Sequence, residues 1–410
     1  MRREWVLASV SVLISLVLLE GAVRLYYVVR DSVPPSADDS LRNEWAWARS
    51  HLREGEAEVA GSSDYDAQFG WRPAEDIDAW IRRKGWGLPQ GDLTLPQRPR
   101  VLFIGDSFTY GLYVADDESF AVRLGADHLR DHEIVNLGVN GYGADQMLLL
   151  YETIGRRYHP NVVVMGFYVA GFERARSRFT FYAKPWFDLD ENSALRLHGE
   201  PVIAPQMLYG EYAGGARQIA GWPYSYLWGA VGASVRRLRD AHRIDGPNDG
   251  GWPLMTALLE RFANDVTADD AVPVLLIIPS RPEEFQDSID EDLDRLARDD
   301  ACRFGILPVS LADAFDAAAV RDPAAKLFRA RDEGGHFSVA GHALAASELA
   351  RALRQHSQRC PSNERSEAQL AGGAGQARHF AIADGVEDHA AAVSHATIAL
   401  LNCSVATAPK

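Results

Sequence analysis

The sequence predicts an α/β protein built on a three-layer, doubly wound parallel sheet, with an N-terminal transmembrane helix and an aromatic-rich insertion. Short apolar runs, mostly β-branched, recur from residue 100 onward, and their hydrophobicity is continuous rather than alternating. Such runs fit strands that are covered on both faces. The five predicted strands are Arg100–Gly105, Glu133–Leu137, Asn161–Phe167, Val272–Ile278 and Ile306–Ser310.

Helical patterns separate these runs, and the alternation of strand and helix predicts parallel strands joined by right-handed crossovers. The predicted helices are Ser119–Leu129, Asp145–Arg157, Leu254–Thr267, Leu293–Asp299 and Ala340–Gln355.

An uncharged run, residues 5–19, follows the basic pair Arg2-Arg3. Apolar character resumes after Glu20, so the whole stretch reaches the roughly 20 residues that a membrane-spanning helix needs. We expect an uncleaved signal anchor at residues 1–30, with a cleaved signal peptide and a buried core helix as alternatives. A single N-terminal span favours an inner-membrane protein whose main domain lies on the extracytoplasmic, periplasmic side.

Residues 31–98 read as a tether and an accessory segment that is rich in tryptophan. Aromatic residues at this density either line a carbohydrate groove or pin an irregular segment onto a domain, and the second interpretation is favoured. The main domain is predicted at residues 99–356. Within it, residues 172–250 form an insertion, with a hairpin around 191–193, that is expected to act as a lid or to shape the substrate site. Residues 357–410 are predicted to be a poorly ordered tail.

Composition excludes several classes of function. The 410 residues carry 42 basic and 57 acidic side chains, a formal net charge of −15, which disfavours nucleic acid as a partner. The chain has 3 cysteines and no CxxC pair, so neither a disulfide framework nor a structural zinc site is predicted. No metal or organic cofactor is expected.

The clearest chemical signal is the segment GDSFTYG, residues 105–111, directly after the first predicted strand. A strand that ends in Gly-Asp-Ser and opens a helix places Ser107 at the carboxyl edge of the sheet, where open α/β sheets bind ligands. The N-terminus of that helix favours an oxyanion.

Two further segments also lie in loops next to predicted strands or helices. NLGVNGYG, residues 136–143, follows the second strand, and its glycines allow a backbone N–H to face a substrate oxygen. DEGGHFSVAGH, residues 332–342, precedes the last helix. A carboxylate before His336 suits a general base that is oriented by an anion. His342 is interpreted as a surface or cap residue.

In this order, the three segments resemble those of the SGNH (GDSL-type) hydrolase superfamily, a flavodoxin-like fold, over roughly residues 98–355. The single span, FGWRP at 69–73, VADDESF at 114–120 and KPWF at 184–187 are similar to its membrane-anchored or secreted bacterial branch. The resemblance implies Ser107 as nucleophile, His336 as general base, and the backbone N–H groups of Ser107 and Gly141 as oxyanion donors.

Two positions depart from the family's pattern. An asparagine that completes the oxyanion hole in the family is replaced here by Ala170, which has no side-chain donor. Losing one such donor costs about 3 kcal/mol of transition-state stabilisation. Either Asn140 or a group from the insertion substitutes, or the enzyme is slow, or the chain is no longer an enzyme. The orienting acid is also ambiguous, since the usual spacing selects Glu333 whereas the bulge allowed by two glycines selects Asp332.

We therefore expect a membrane-tethered serine hydrolase of acyl esters, with O-acetyl groups of a cell-surface glycan as the favoured substrate. One alternative is a glycan O-acyltransferase on the same fold, which differs only in whether water or a sugar reaches the acyl-enzyme. The other is a catalytically reduced scaffold that binds glycan. Ala170 and the aromatic-rich insertion support this alternative.

Overall fold

The structure is a computed structural model that describes residues 2–55, 63–240, 252–280, 287–322, 326–330 and 335–355. Its helices are α1 (Arg2–Val29), α2 (Asp39–Glu54), α3 (Ile77–Lys84), α4 (Ser107–Tyr110), α5 (Phe120–Arg123), α6 (Ala144–Thr153), α7 (Pro205–Ala213), α8 (Tyr226–Asp240), α9 (Trp252–Ala268), α10 (Asp287–Arg303), α11 (Ala312–Arg321) and α12 (Val339–Gln355). Its strands are β1 (Ser63–Asp66), β2 (Gly70–Pro73), β3 (Arg100–Gly105), β4 (Glu133–Gly138), β5 (Val162–Tyr168), β6 (Trp186–Leu189), β7 (Leu195–His198), β8 (Val272–Ile278) and β9 (Leu307–Ser310).

A five-stranded parallel sheet forms the centre of the α/β fold, in the order β4-β3-β5-β8-β9. In chain order this is second, first, third, fourth and fifth, the arrangement of flavodoxin-like doubly wound sheets. Every residue of β3, β4 and β8 is buried, so helices cover both faces. All five strands lie within one residue of their predicted bounds, and the predicted fold class is confirmed.

Two of the predicted helices are interrupted. The segment predicted as Ser119–Leu129 is the short helix α5 followed by a π-helical turn, Leu124–His128. Gly125 lies in this turn, and a Cβ there would be 2.4 Å from the indole of Trp86, whose backbone bridges to β4. Similarly, α6 ends at Thr153 and a 3₁₀ turn continues to Tyr158.

The amino-terminal edge of the sheet holds a buried ion pair between Arg100 of β3 and Glu133 of β4. The Arg100 guanidinium donates to Glu133 and to the carbonyl oxygens of Leu93, at 2.7 Å, and Tyr158. The Gln97 N–H donates to the second carboxylate oxygen at 3.0 Å. Because these charges are paired and hydrogen-bonded, their burial is tolerated.

The chain divides into two compact units. The first combines Met1–Ala74 with Glu173–Leu254, and the second combines Glu75–Phe172 with the chain from Met255 onward. The sequence predicted an accessory segment and an insertion as separate pieces, whereas most of each folds into the first unit. The predicted hairpin around residues 191–193 is present as β6 and β7. The predicted tail, 357–410, lies outside the described residues.

Within residues 31–98, predicted as a tether and an accessory segment, residues 39–54 form the helix α2. Asp38 caps this helix, its carboxylate accepting from the Leu41 N–H at 3.1 Å, and Gly55 ends it in the left-handed region. The tryptophans of the segment are mostly buried, which supports the packing interpretation over an open groove. The buried ones are Trp45, Trp47, Trp71 and Trp80.

Candidate active site

Three glycines occupy the last positions of β3 and β4 and the middle of β5, side by side across the sheet. Gly105 pairs in register with Gly138 on one side and with Gly166 on the other. A Cβ at Gly105 or Gly166 would lie 2.0 or 2.2 Å from Oγ1 of Thr109, and one at Gly138 would lie 2.4 Å from the Tyr110 nitrogen. The absence of side chains therefore lets the helix α4 rest directly on the sheet.

Side-chain hydrogen bonds hold α4 in this position. The Asn136 amide donates to the Thr109 carbonyl at 2.8 Å, and its oxygen accepts from the Gly138 N–H at 2.9 Å. Asp106 is the N-cap, accepting from the Phe108 N–H at 3.0 Å. Ser107 is consequently the first residue of the helix, so its own N–H has no intrahelical acceptor.

The segment that carries His336 is held by backbone pairing with residues 327–330. The Arg329 N–H donates to the His336 carbonyl at 2.7 Å, and the Ser338 N–H donates to the Leu327 carbonyl at 2.9 Å. The next side chain, Phe337, is completely buried and packs edge-on against Phe108 at a centroid distance of 4.9 Å. Because Phe337 points into the core, the imidazole of the preceding residue, His336, points the other way, towards Ser107.

The structure brings the two central residues of the sequence prediction together. Nε2 of His336 lies 2.7 Å from Oγ of Ser107, although 229 positions separate them. Phe108 lies against one side of the imidazole, with ring centroids 4.9 Å apart. Ser107 is 6% exposed, so most of the residue is covered by its surroundings. A hydroxyl hydrogen-bonded to an imidazole at a helix N-terminus can act as a nucleophile towards an acyl carbon.

The structure describes only some of the other predicted site residues. Asn140 and Gly141 lie in the loop after β4, where Gly141 adopts a φ of +78° that favours glycine. Ala170 lies in the 3₁₀ helix Val169–Arg176 that follows β5, at the carboxyl edge of the sheet. Asp332 and Glu333 lie outside the described residues, so the choice between them stays open.

Two residues beside the site were not correctly predicted. Tyr113 is 52% exposed, has a φ of +70° and lies edge-on to His336 at a centroid distance of 5.4 Å. Nothing in the sequence marks a tyrosine for the left-handed region. His342, interpreted as a surface or cap residue, is buried, and its Nδ1 accepts from the Phe120 N–H at 3.1 Å. The cap contact is therefore correct, whereas the surface position is wrong.

Burial lowers the pKa of His342 to about 3, with nearby positive charge on Arg123 as a second cause. The imidazole is therefore neutral and able to accept the hydrogen bond from α5. Its ring also stacks on Phe120, with centroids 5.7 Å apart. His342 thus joins α12 to α5 and leaves His336 as the histidine that contacts the serine.

A buried lysine supports the other end of α4. Nζ of Lys84 donates to the Tyr110 carbonyl at 2.9 Å and lies 2.7 Å from the Asp116 carboxylate. Burial opposes ionisation of Asp116, but hydrogen bonds from Lys84 and Arg83 outweigh it and lower its pKa. The lysine therefore satisfies a carbonyl at the C-terminal end of the helix, where positive charge is favourable.

Within the described ranges, no three His, Cys, Asp or Glu side chains converge as metal ligands. No protein-family model and no curated protein matches the chain.

Solved structures do match it. LAE5, an α/β hydrolase from the metagenome of Lake Arreo, Spain, is 15% identical, with a TM-score of 0.36 over 64% of this chain and 97% of its own. The acetyl xylan esterase AlAXEase is 13% identical, with a TM-score of 0.35 over 62% and 98%. A catalytic mutant of the acetylxylan esterase Axe2 from Geobacillus stearothermophilus is 16% identical, with a TM-score of 0.35 over 63% and 95%. At this level of similarity nothing about activity follows from these matches.

Proposed function

We propose that the protein is a membrane-tethered serine hydrolase that cleaves small acyl esters outside the cytoplasm, with O-acetyl groups of a glycan as the favoured substrate. The observation that carries the proposal is the 2.7 Å contact between Oγ of Ser107 and Nε2 of His336 at the carboxyl edge of the parallel sheet. A simple helix cap would not require the imidazole, which comes from the far end of the chain.

In the proposed mechanism, Oγ of Ser107 attacks the ester carbonyl while His336 takes its proton. The N–H groups of Ser107 and Gly141 stabilise the oxyanion, with Asn140 as a further candidate donor. His336 then returns the proton to the departing alcohol, and the same steps with water release the acid. Asp332 or Glu333 would orient the imidazole and stabilise its charged form.

The proposed substrate class follows from the surroundings of the serine. The low exposure of Ser107, with Phe108 beside it, favours a short acyl group. The exposed ring of Tyr113 offers a flat apolar surface to the alcohol side of the ester. Aromatic rings of this kind suit the apolar faces of sugars.

Membrane attachment is proposed from α1, a helix of 28 residues that holds an 18-residue stretch with a mean hydropathy of 2.3 and no buried residues. The same properties fit a signal sequence, so retention of α1 is part of the proposal.

The direct test is labelling of the full chain in detergent with a fluorophosphonate, which reacts with activated serines. We expect labelling of the wild type, and none of Ser107→Ala or His336→Ala. Ser347→Ala, on α12, is the matched control, because its hydroxyl only donates to a carbonyl of its own helix. Equal absence of labelling in all four proteins would favour the glycan-binding scaffold.

Hydrolysis and transfer are separated by a second assay. An acetyl donor is supplied to the wild type with and without a glycan acceptor, and free acetate is measured. Acetate release that is unaffected by the acceptor supports hydrolysis. Acetate that appears on the glycan instead would show that a sugar replaces water as the acceptor.

A further inference from the structure

The helix α8 carries an exposed apolar stripe in the first unit. Trp228 is 74% exposed and Leu238 is 68% exposed, and Val231 and Val235 between them are also exposed. The spacings of three, four and three residues place all four on one face of the helix. Trp222, just before the helix, is exposed as well. Soluble proteins rarely present such a contiguous apolar face, which usually marks a contact with a partner or a membrane.

The neighbouring face of α8 is fixed against the chain that follows α1. A Cβ at Gly229 would lie 2.1 Å from the Pro35 carbonyl, and one at Gly232 would lie 3.2 Å from the Ala37 side chain. Arg236 pairs with Asp39 at the start of α2. These contacts prevent the helix from turning its apolar stripe inward.

The start of α8 is joined to α1 by hydrogen bonds. The Glu20 carboxylate accepts from the N–H groups of Tyr226 and Leu227 at 2.9 and 2.8 Å, and from the Ser225 hydroxyl at 2.9 Å. A carboxylate is favourable at the N-terminus of a helix. Arg24 pairs with Glu20 at 2.6 Å and also donates to the Tyr224 carbonyl.

This junction lies at the end of the uninterrupted apolar run of α1, and further apolar residues follow it up to Val29. Glu20 is the first charged residue after the run 5–19, which is about 22 Å long at 1.5 Å per residue. Tyr26 and Tyr27 follow, and such residues favour the boundary between lipid and water. Hence α8 begins beside the last turns of α1, between the uninterrupted apolar run and the tyrosines that favour the interface.

We propose that α8 is an interfacial helix that lies in the surface of the same bilayer that α1 spans, with Trp228, Val231, Val235 and Leu238 inserted among the lipids. This inference rests on the proposed membrane span. Lipid is favoured over a second copy of the chain because the stripe continues from the junction with α1, and because the tryptophans suit the interface. The exposed Arg237, on the face away from the stripe, would then point towards water.

The test uses the full chain in nanodiscs that each hold one copy, with the fluorescent residue dansylalanine in place of Val235. Brominated lipids quench a fluorophore only when it is among the acyl chains. We expect blue-shifted emission and a loss of emission with brominated lipid, greater for bromine near the headgroup than for bromine near the chain end. The matched control replaces Val320, an equally apolar, exposed valine on α11, and should show neither change.

A third site, Leu13 in the middle of the apolar run, reports on α1 itself. Quenching at residue 13 without quenching at residue 235 would overturn the interfacial position of α8 and leave the span intact. Absence of quenching at both would show that α1 does not span the bilayer. Protection at residue 235 only in vesicles that hold several chains would mean that a second copy covers the stripe, which also overturns the proposal. Each labelled protein must keep the unfolding temperature of the unlabelled one.

Discussion

At the scale of single residues, replacing Tyr113 distinguishes the effect of backbone strain on stability from the effect of substrate contact on activity. Its φ of +70° is unfavourable for a bulky side chain, and such outliers cluster at functional sites. We expect Tyr113→Gly to raise the free energy of unfolding by about 1 kcal/mol, because glycine adopts this conformation without strain. We also expect kcat/KM for p-nitrophenyl acetate to fall, because the ring beside His336 is lost.

The control is His159→Gly, which changes another residue of positive φ (+48°), exposed and outside the site. It should gain stability and keep full activity. Unchanged activity in Tyr113→Gly would mean that the ring does not contact the substrate.

A substitution at Ala170 tests whether the oxyanion hole lacks a donor. Ala170→Asn introduces an amide donor at the position where the resemblance implies one. If the hole lacks a donor, we expect turnover of p-nitrophenyl acetate to rise, by up to about 100-fold. The assay should show a change in kcat rather than in KM, because the donor acts in the transition state. No rise, or a fall, would indicate that another group already fills this role.

His342 makes the stability depend on pH. Since its pKa is about 3 in the folded chain and 6.5 without burial, the unfolded chain binds one more proton between these values. The free energy of unfolding therefore falls with decreasing pH in this window, by about 1.4 kcal/mol per pH unit from this residue. In urea titrations, His342→Gln should be less stable at pH 7 and show a shallower pH dependence. The exposed His159→Gln should keep the wild-type slope, and an unchanged slope in both would exclude a neutral, buried His342.

At the scale of elements, the row of glycines decides whether α4 can rest on the sheet. Gly166→Ala puts a Cβ 2.2 Å from Oγ1 of Thr109 but 3.6 Å from its Cβ. We expect α4 to be displaced and activity to fall by about 100-fold, because shifts of about 1 Å at a nucleophile have such effects. Adding Thr109→Ala removes the clashing oxygen and should restore part of the activity, measured with the same ester.

Gly105→Ala should resist this rescue, since its Cβ would also lie 2.5 Å from Cβ of Thr109. Gly210→Ala is the neutral control, because it lies in α7 with nothing within 4 Å of the added methyl. Full activity of Gly166→Ala alone would contradict the close approach of α4 to the sheet.

The elements also show what the sequence could and could not predict. Strands were predicted to within one residue because buried parallel strands are continuous apolar runs. Helices α2, α3, α7, α8 and α11 were not predicted. In α8 two glycines, Gly229 and Gly232, weaken the helical signal of the apolar spacing, and in α2 arginines and tryptophans obscure the periodicity. For the site, order along the chain predicted Ser107 and His336, but the positive φ of Tyr113 depends on tertiary contacts that the sequence does not display.

At the scale of the whole molecule, orientation in the membrane depends on the charges that flank α1. Arg2 and Arg3 precede the apolar run, and Arg24 and Arg30 follow it. Arg24 and Arg30 thus offset Arg2 and Arg3, and the proposed extracytoplasmic position of the sheet requires that Arg2 and Arg3 keep the N-terminus inside. An alkaline phosphatase fused after Gln355 folds only when exported, so the fused phosphatase should be active.

Arg2→Glu combined with Arg3→Glu should lower that phosphatase activity, with the amount of fusion protein checked by immunoblotting. Arg303→Glu combined with Arg321→Glu, two exposed arginines far beyond the span, is the matched control for charge and should leave it unchanged. An inactive wild-type fusion, or one indifferent to the N-terminal charges, would place the sheet on the cytoplasmic side or show that another feature sets the orientation.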